Sequence, residues 1–225
     1  MTDRTAPVVA IDGPSASGKG TVSRSVAAAL GFHFLDSGAL YRLVGLAALD
    51  GGTDLQDADA IAGIARKLDA EFKGEVICLA GWEVTDAIRD ERVSAAASQV
   101  AAIPAVRDAL LDRQRAFREE PGLVADGRDM GSVVFPDAAL KIYLTAHPAE
   151  RARRRYNQLI EKGLGANMDA LLQEIRKRDA RDSGRTAAPL QKSTDAIELD
   201  TTGLSVEAVV SEIVALYKRK AAKAP

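Results

Sequence analysis

A short stretch near the N-terminus, Gly13-Pro14-Ser15-Ala16-Ser17-Gly18-Lys19-Gly20-Thr21, constrains this chain more than any other part of it. It fits the pattern G-x-x-x-x-G-K. Before it, Val8-Val9-Ala10-Ile11 is an apolar run that stops at Asp12-Gly13-Pro14, the pattern of a buried parallel strand meeting a turn. After it, residues 21–30 carry Val22, Val26, Ala29 and Leu30 on one side, which predicts a helix with Gly31 as its stop. Strand, glycine loop and helix are what a bound phosphate chain needs. Glycines let the backbone curl until several N–H groups point inward, and the helix N-terminus adds partial positive charge. Lys19 is placed to bridge the β- and γ-phosphates and to neutralise charge as the γ group leaves. The usual pattern has Ser or Thr directly after the lysine to hold Mg²⁺. Here Gly20 stands there and Thr21 follows, so Thr21 is the hydroxyl left to contact phosphate or metal.

The rest of the chain repeats the strand-then-helix rhythm. Residues 32–35 read as a second strand ending at Asp36-Ser37-Gly38, and 40–49 as a helix. Helical pattern runs over 93–102 and again after Pro104, with Val106, Leu110, Leu111 and Phe117 in step. Strands are predicted at 123–125, 140–144 and 196–199, and helices at 149–162, 168–182 and 206–220. This alternation predicts an α/β fold, a three-layer doubly wound parallel sheet. In such sheets ligands sit beyond the carboxyl ends of the strands. Distinctive polar turns fall at those ends: Asp12-Gly13, Asp36-Ser37-Gly38 and Asp126-Gly127-Arg128-Asp129. Their convergence is expected. The middle departs from the rhythm. Ala70-Glu71-Phe72, Val76-Ile77-Cys78-Leu79 and Trp82-Glu83-Val84 are separated by hairpin-like Lys73-Gly74-Glu75 and Ala80-Gly81, so residues 56–95 read as a small inserted antiparallel subdomain within one domain spanning 1–225.

Bulk properties exclude several classes. The chain has 225 residues, 28% charged, with net charge −2, and so lacks the basic excess of a nucleic-acid binder. The single cysteine, Cys78, cannot form an internal disulfide and fits a reducing compartment. No apolar run approaches the ~20 residues of a membrane span, and residues 1–7 lack the layout of a secretory signal. A cytoplasmic monomer is expected, with no nucleic acid or membrane partner. His33 and His147 have no ligand-spaced partner, so no protein-built metal site is expected. Cys78 and Trp82 read as packing residues. No histidine-based triad is visible, and the guanine-reading tetrapeptide N-K-x-D of GTP switches is absent.

Arg151, Arg153, Arg154 and Arg155 crowd one segment, and Arg176, Lys177, Arg178, Arg181 and Arg185 another. At helical spacing Arg178, Arg181, Asp182 and Arg185 share a face. Alone, such a face reads equally as a solvated surface laced with ion pairs. In a chain with a phosphate loop, it reads as a phosphate-clamping lid over about 151–187, with Gly163 and Gly165 as its joints.

Together these stretches resemble the bacterial cytidylate kinase family along essentially the whole length. The carriers are Ile11-Asp12-Gly13-Pro14-Ser15 with Gly18-Lys19-Gly20-Thr21, then Leu35-Asp36-Ser37-Gly38-Ala39-Leu40-Tyr41-Arg42. They continue with Ala97-Ser98-Gln99-Val100-Ala101, Ala125-Asp126-Gly127-Arg128-Asp129-Met130-Gly131, Val134-Phe135-Pro136-Asp137-Ala138 and Arg178-Asp179-Ala180-Arg181-Asp182. The phosphate loop is shared by many kinases; D-S-G-x-x-Y-R together with D-G-R-D-M-G is far more specific. The resemblance implies transfer of the γ-phosphoryl group of ATP, with Mg²⁺ bound to it, onto CMP or dCMP. It implies ATP contacts at Gly13, Pro14, Ser15, Ala16, Ser17, Gly18, Lys19, Gly20, Thr21 and Arg154. It implies CMP contacts at Ser37, Tyr41, Arg42, Ser98, Arg107, Arg128, Asp129, Arg178, Asp182 and Arg185, and catalytic roles for Lys19, Asp126, Arg128, Arg178 and Arg185. A carboxylate at Asp129 accepts from the amino group of cytosine and repels the carbonyl of uracil. Bland alternatives stand beside these: Tyr41 as a half-buried helix residue, Asp129 paired with Arg128 in a turn, Arg107 solvated, Asp126 a turn cap rather than an organiser of Mg²⁺ through water. A same-fold kinase acting on UMP, AMP or shikimate is the nearest rival.

Overall fold

The structure is a computed structural model that describes residues 5–161, 163, 165–185 and 187–222. Lys162, the expected end of one helix, and Thr186 near the end of the expected lid lie outside the described residues.

The chain divides into two compact units, one of residues 1–35 and 115–225, the other Asp36–Gln114. The first holds β1 (Val8–Asp12), α1 (Lys19–Leu30), β2 (His33–Asp36), which ends at the boundary, β6 (Leu123–Gly127), β7 (Leu140–Thr145), α6 (Pro148–Glu161), α7 (Met168–Ser183), β8 (Ile197–Asp200) and α8 (Val206–Ala221). The second holds α2 (Ser37–Asp50), α3 (Ala58–Arg66), β3 (Ala70–Lys73), β4 (Val76–Leu79), β5 (Trp82–Glu83), α4 (Glu91–Val100) and α5 (Pro104–Arg115), whose last residue crosses the boundary.

The main sheet has the order β2-β6-β1-β7-β8. β1 pairs in parallel with β6 and β7, and β7 with β8. β1 and β6 are buried along their whole lengths, as a strand covered on both faces must be, which is why their sequences are unbroken apolar runs until the terminal acids. Val9, Ile11, Val124, Leu140, Ile142 and Leu144 of the sheet form one core with Val22, Val26 and Ala27 of α1 and Val209 and Ile213 of α8. That sandwich fixes α1 against the sheet and so fixes the loop that precedes it.

The second unit contains the expected hairpins: β3 pairs antiparallel with β4, and β4 with β5. In the same unit α2 packs closely on α4, Gly45 leaving room for Ala96 and Ala97. α3 was not legible as a helix, although Asp57 caps it by accepting from the N–H of Ala60 at 3.0 Å. Two other helices begin earlier than the apolar periodicity indicates. α1 starts at Lys19, because Gly18 takes a left-handed conformation (φ 87°) that ends the loop there. α2 starts at Ser37, because the Asp36 carboxylate accepts from the N–H of Ala39 at 3.1 Å.

Candidate active site

The glycine loop lies between β1 and α1. A Cβ on Gly13 would stand 2.0 Å from the carbonyl oxygen of Leu144, so only glycine lets the loop pass over the end of β7. Ala16 adopts a left-handed φ of 57° in the same curl, a cost tolerated mainly where backbone groups must be aimed. Lys19 is buried and donates from Nζ to the carbonyl of Pro14 at 2.9 Å, which folds the ammonium back over the loop it serves.

Two arginines of α6 hold that loop from outside. Arg151 is 3% exposed and donates to the carbonyls of Ala146 at 3.0 Å and Ser15 at 3.1 Å while forking onto the carboxylate of Asp179 on α7. Arg154 donates to the carbonyl of Ser17 at 2.8 Å, to the hydroxyl of Thr201 at 3.0 Å and to the Thr201 carbonyl at 2.7 Å. Arg154 thereby stitches the glycine loop to the segment after β8. These two have structural duties that crowding alone did not reveal, whereas Arg153 is mostly exposed and pairs with Glu150. Beside Arg154 lies a cavity of about 290 Å³ lined by the loop residues Ala16, Ser17 and Gly18, by Asn157 of α6 and by Leu204 and Ser205. The lining after β8 went unrecognised in the sequence. The signal was available: Thr201 follows a strand of the parallel sheet, and binding residues gather at strand carboxyl ends.

The acidic turn after β6 lies next to the glycine loop, because Asp12 at the end of β1 is in register with Gly127 at the end of β6. Asp126 and Asp129 are both buried. A Cβ on Gly20 would sit 3.4 Å from the Asp126 carboxylate, which places that carboxylate at the first turn of α1. Asp12 accepts from the N–H of Met130 at 2.8 Å and of Gly131 at 2.9 Å. Burial pushes its pKa up to about 7, against the lowering by those two N–H groups and with the help of Asp129 and Asp126. Among the described residues no group of three or more His, Cys, Asp or Glu side chains could hold a metal ion by itself.

Three arginines gather around one carboxylate, that of Asp182. Asp182 is 2% exposed; its oxygens accept from Nε of Arg128 at 3.0 Å and from a terminal nitrogen of Arg185 at 2.6 Å. Burial would raise its pKa, but Arg128, Arg185 and Arg178 together hold it below the usual carboxylate range. Arg181 is exposed, and α7 ends at Ser183, so Arg185 reaches Asp182 from beyond the helix rather than along its face. The simple helical grouping of 178, 181, 182 and 185 is corrected accordingly.

In the second unit, Ser37, Tyr41 and Ser98 are buried. Arg42 pairs with Asp36 at 2.6 Å, in space that Gly38 leaves open: a Cβ there would lie 3.1 Å from the guanidinium. The Arg107 guanidinium stands 5.6 Å from the Tyr41 ring centroid and donates to the Ala101 carbonyl at 3.2 Å. Asp36, absent from the expected site residues, positions Arg42 through the D-S-G turn itself.

A phosphate loop over a parallel sheet, with arginines gathered around a buried carboxylate, defines a P-loop protein of the kinase type. The chain belongs to the cytidylate kinase family, whose model matches residues 9–219. It is 59% identical over 220 residues to a cytidylate kinase of Pseudomonas aeruginosa (strain UCBPP-PA14), covering 95% of this chain and 96% of that one. It is 55% identical over 217 residues to a cytidylate kinase of Nitrosomonas eutropha, covering 96% and 97%. A gluconokinase structure from Sinorhizobium meliloti aligns over 96% of this chain and 94% of its own at TM-score 0.50 and 15% identity, a likeness of fold.

Proposed function

We infer that this chain transfers the γ-phosphoryl group of ATP to CMP or dCMP, giving ADP and CDP or dCDP. The observation that carries the reading is the pairing of β1 with β6, which sets the glycine loop and the Arg128-Asp129 turn on neighbouring strand ends. Family membership supplies the acceptor.

The triphosphate lies on the backbone N–H groups of residues 13–21, with Lys19 leaving the Pro14 carbonyl for the β- and γ-phosphates. The adenosine end takes the cavity beside Arg154. Ser37, Tyr41, Arg42, Ser98, Arg107, Arg128, Asp129, Arg178, Asp182 and Arg185 are the CMP contacts. Within that set Arg42 and Arg128 bind the 5′-phosphate as charged forks, and Asp129 accepts from the cytosine amino group. Arg178 and Arg185, with Lys19 and Arg128, stabilise charge on the moving group. The carboxylate of Asp126 beside the first turn of α1 fits Mg²⁺ carried in by ATP, an ion that takes one or two carboxylates, water and phosphate rather than an all-protein cage. Bound there, the ion neutralises phosphate charge; Asp126 is the residue that would hold it through water. The acceptor phosphate is already ionised near neutral pH, so transfer needs no strong general base and no covalent enzyme intermediate. Closure of the arginine-rich segment keeps water from taking the phosphoryl group.

The test is ADP release by the purified protein with ATP-Mg²⁺ and CMP, dCMP, UMP, AMP or GMP. Turnover with CMP and dCMP, weaker with UMP, and loss of that preference in Asp129→Ala is the expected result. Preference for AMP, or turnover with none of the five, overturns the acceptor.

A further inference from the structure

Asp12 has no assigned role in phosphoryl transfer, yet it is 6% exposed at the end of the strand that feeds the glycine loop. Its carboxylate does not serve that loop. Both its oxygens face the next strand's turn, Oδ1 accepting from the N–H of Met130 and Oδ2 from that of Gly131. Those N–H groups open a π-helical turn, Met130–Val134, that starts directly after Asp129. A π-helical turn is rare and gathers at functional sites. The far end of the turn is closed by its own backbone: the carbonyl of Asp129 accepts from Val133 at 2.9 Å and that of Met130 from Phe135 at 2.7 Å. From the other side, the Lys141 side chain lies against Gly131, where a Cβ would meet its methylenes at 3.1 Å. Lys141 is itself buried and anchored to Asp195 at 2.8 Å.

We propose that Asp12 is a positioning residue for the CMP side of the site: by gripping the N–H groups of Met130 and Gly131 it sets the orientation of the Arg128-Asp129 turn. This rests on the reading of Asp129 as the group that meets cytosine. The arrangement is expensive. A buried carboxylate facing Asp129 and Asp126 titrates far above its ordinary value, and two N–H groups could be satisfied by a neutral acceptor at less cost. What the ionised carboxylate adds, above its raised pKa, is two equivalent acceptors in a fixed fork, so that both N–H vectors are set at once; the test is run above that pKa. Asparagine at this position would turn an NH₂ group toward one of the two N–H donors and spoil one bond.

The test is a KM split. Asp12→Asn should raise KM for CMP about tenfold, the loss of roughly 1.4 kcal/mol of preferential binding, and lower the CMP-to-UMP ratio of kcat/KM. KM for ATP should stay within about twofold, a change under ~0.5 kcal/mol. Gly131→Ala, whose Cβ would press on the Lys141 stem and lie 3.5 Å from Oδ2 of Asp12 while leaving that carboxylate in place, should show the same asymmetry; it carries the test if Asp12→Asn does not fold by thermal melting. An equal rise for both substrates would make Asp12 a support of the glycine loop or of the fold. That result, or no change in either KM, overturns the proposal. Asp129→Ala measured alongside separates the two readings. If it leaves the CMP-to-UMP ratio intact, the base-reading role of Asp129 falls, while the KM asymmetry of Asp12→Asn still decides whether Asp12 sets the turn.

Discussion

Replacing Asp182 with asparagine probes how the guanidiniums around it are held. The side chain of Asp182 is 3% exposed, that of Arg185 4% and that of Arg128 19%. At an effective dielectric of about 20, two unit charges ~4 Å apart attract by ~4 kcal/mol. The Asp182–Arg185 pair is dry enough to keep much of that, whereas the partly solvated Arg128 contact is worth a fraction of it, ~1 kcal/mol. Asp182→Asn keeps the shape and leaves the cations without their counter-charge, so a loss of ~3–5 kcal/mol at pH 7 is expected. For a chain of this size that is a fall in Tm of roughly 10 °C. The pH dependence has a defined sign. Because the folded pKa of Asp182 lies below its unfolded value, its contribution is complete above an unfolded pKa of about 4 and is lost as pH falls through the folded one. Wild type and variant should therefore converge at acid pH. Denaturant unfolding from pH 7 down to about 2 measures this, and a double-mutant cycle with Arg185→Gln should return a coupling above ~1 kcal/mol. A loss under ~1 kcal/mol at pH 7, or a gap that does not narrow toward acid, would refute the reasoning.

Gly13→Ala should abolish ATP binding and cost more than ~4 kcal/mol, because the added carbon would overlap the Leu144 carbonyl oxygen, a backbone atom that cannot swing aside; isothermal titration with a non-hydrolysable ATP analogue and thermal melting check both parts. Asp12 should impose the opposite pH slope to Asp182. Its folded pKa of about 7 exceeds the unfolded value, so its contribution is complete below about pH 4 and is lost on rising to about 7. The loss is roughly 4 kcal/mol over that window at ~1.4 kcal/mol per pH unit, and the slope should vanish in Asp12→Asn.

Much of the first unit was legible because its signals are local. An apolar run ending at Asp-Gly marks a buried strand and its turn whether or not anything else is known, and β1 and β6 were found that way. The hairpins of β3 to β5 were legible for the same reason, through Gly74 and Gly81. α3 was missed because its short amphipathic run, Ala58–Arg66, follows a polar loop and is decided by the Asp57 cap rather than by hydrophobicity. The π-helical turn at Met130–Val134 has no periodicity to read. Its first N–H groups are taken by Asp12, over a hundred positions away in sequence. The arginines behaved likewise. Spacing identified the cluster, but only tertiary contacts show that Arg151 and Arg154 grip the glycine loop while Arg185 turns back to Asp182.

Two buried acids of the same unit thus depart from their ordinary behaviour in opposite directions. Burial, helped by the neighbouring carboxylates and only partly opposed by two neutral N–H groups, lets Asp12 gain protons easily. Asp182 is answered by Arg128, Arg185 and Arg178, so it holds its charge tenaciously. Asp182 is thus shared by three guanidiniums, which like-charge repulsion would otherwise drive apart. Asp182 is then best understood as the counter-ion that keeps the guanidiniums assembled between turnovers. A carboxylate too weak for that role would let them scatter. Removal of Asp182 should therefore lower stability and phosphate affinity together, not one at the expense of the other.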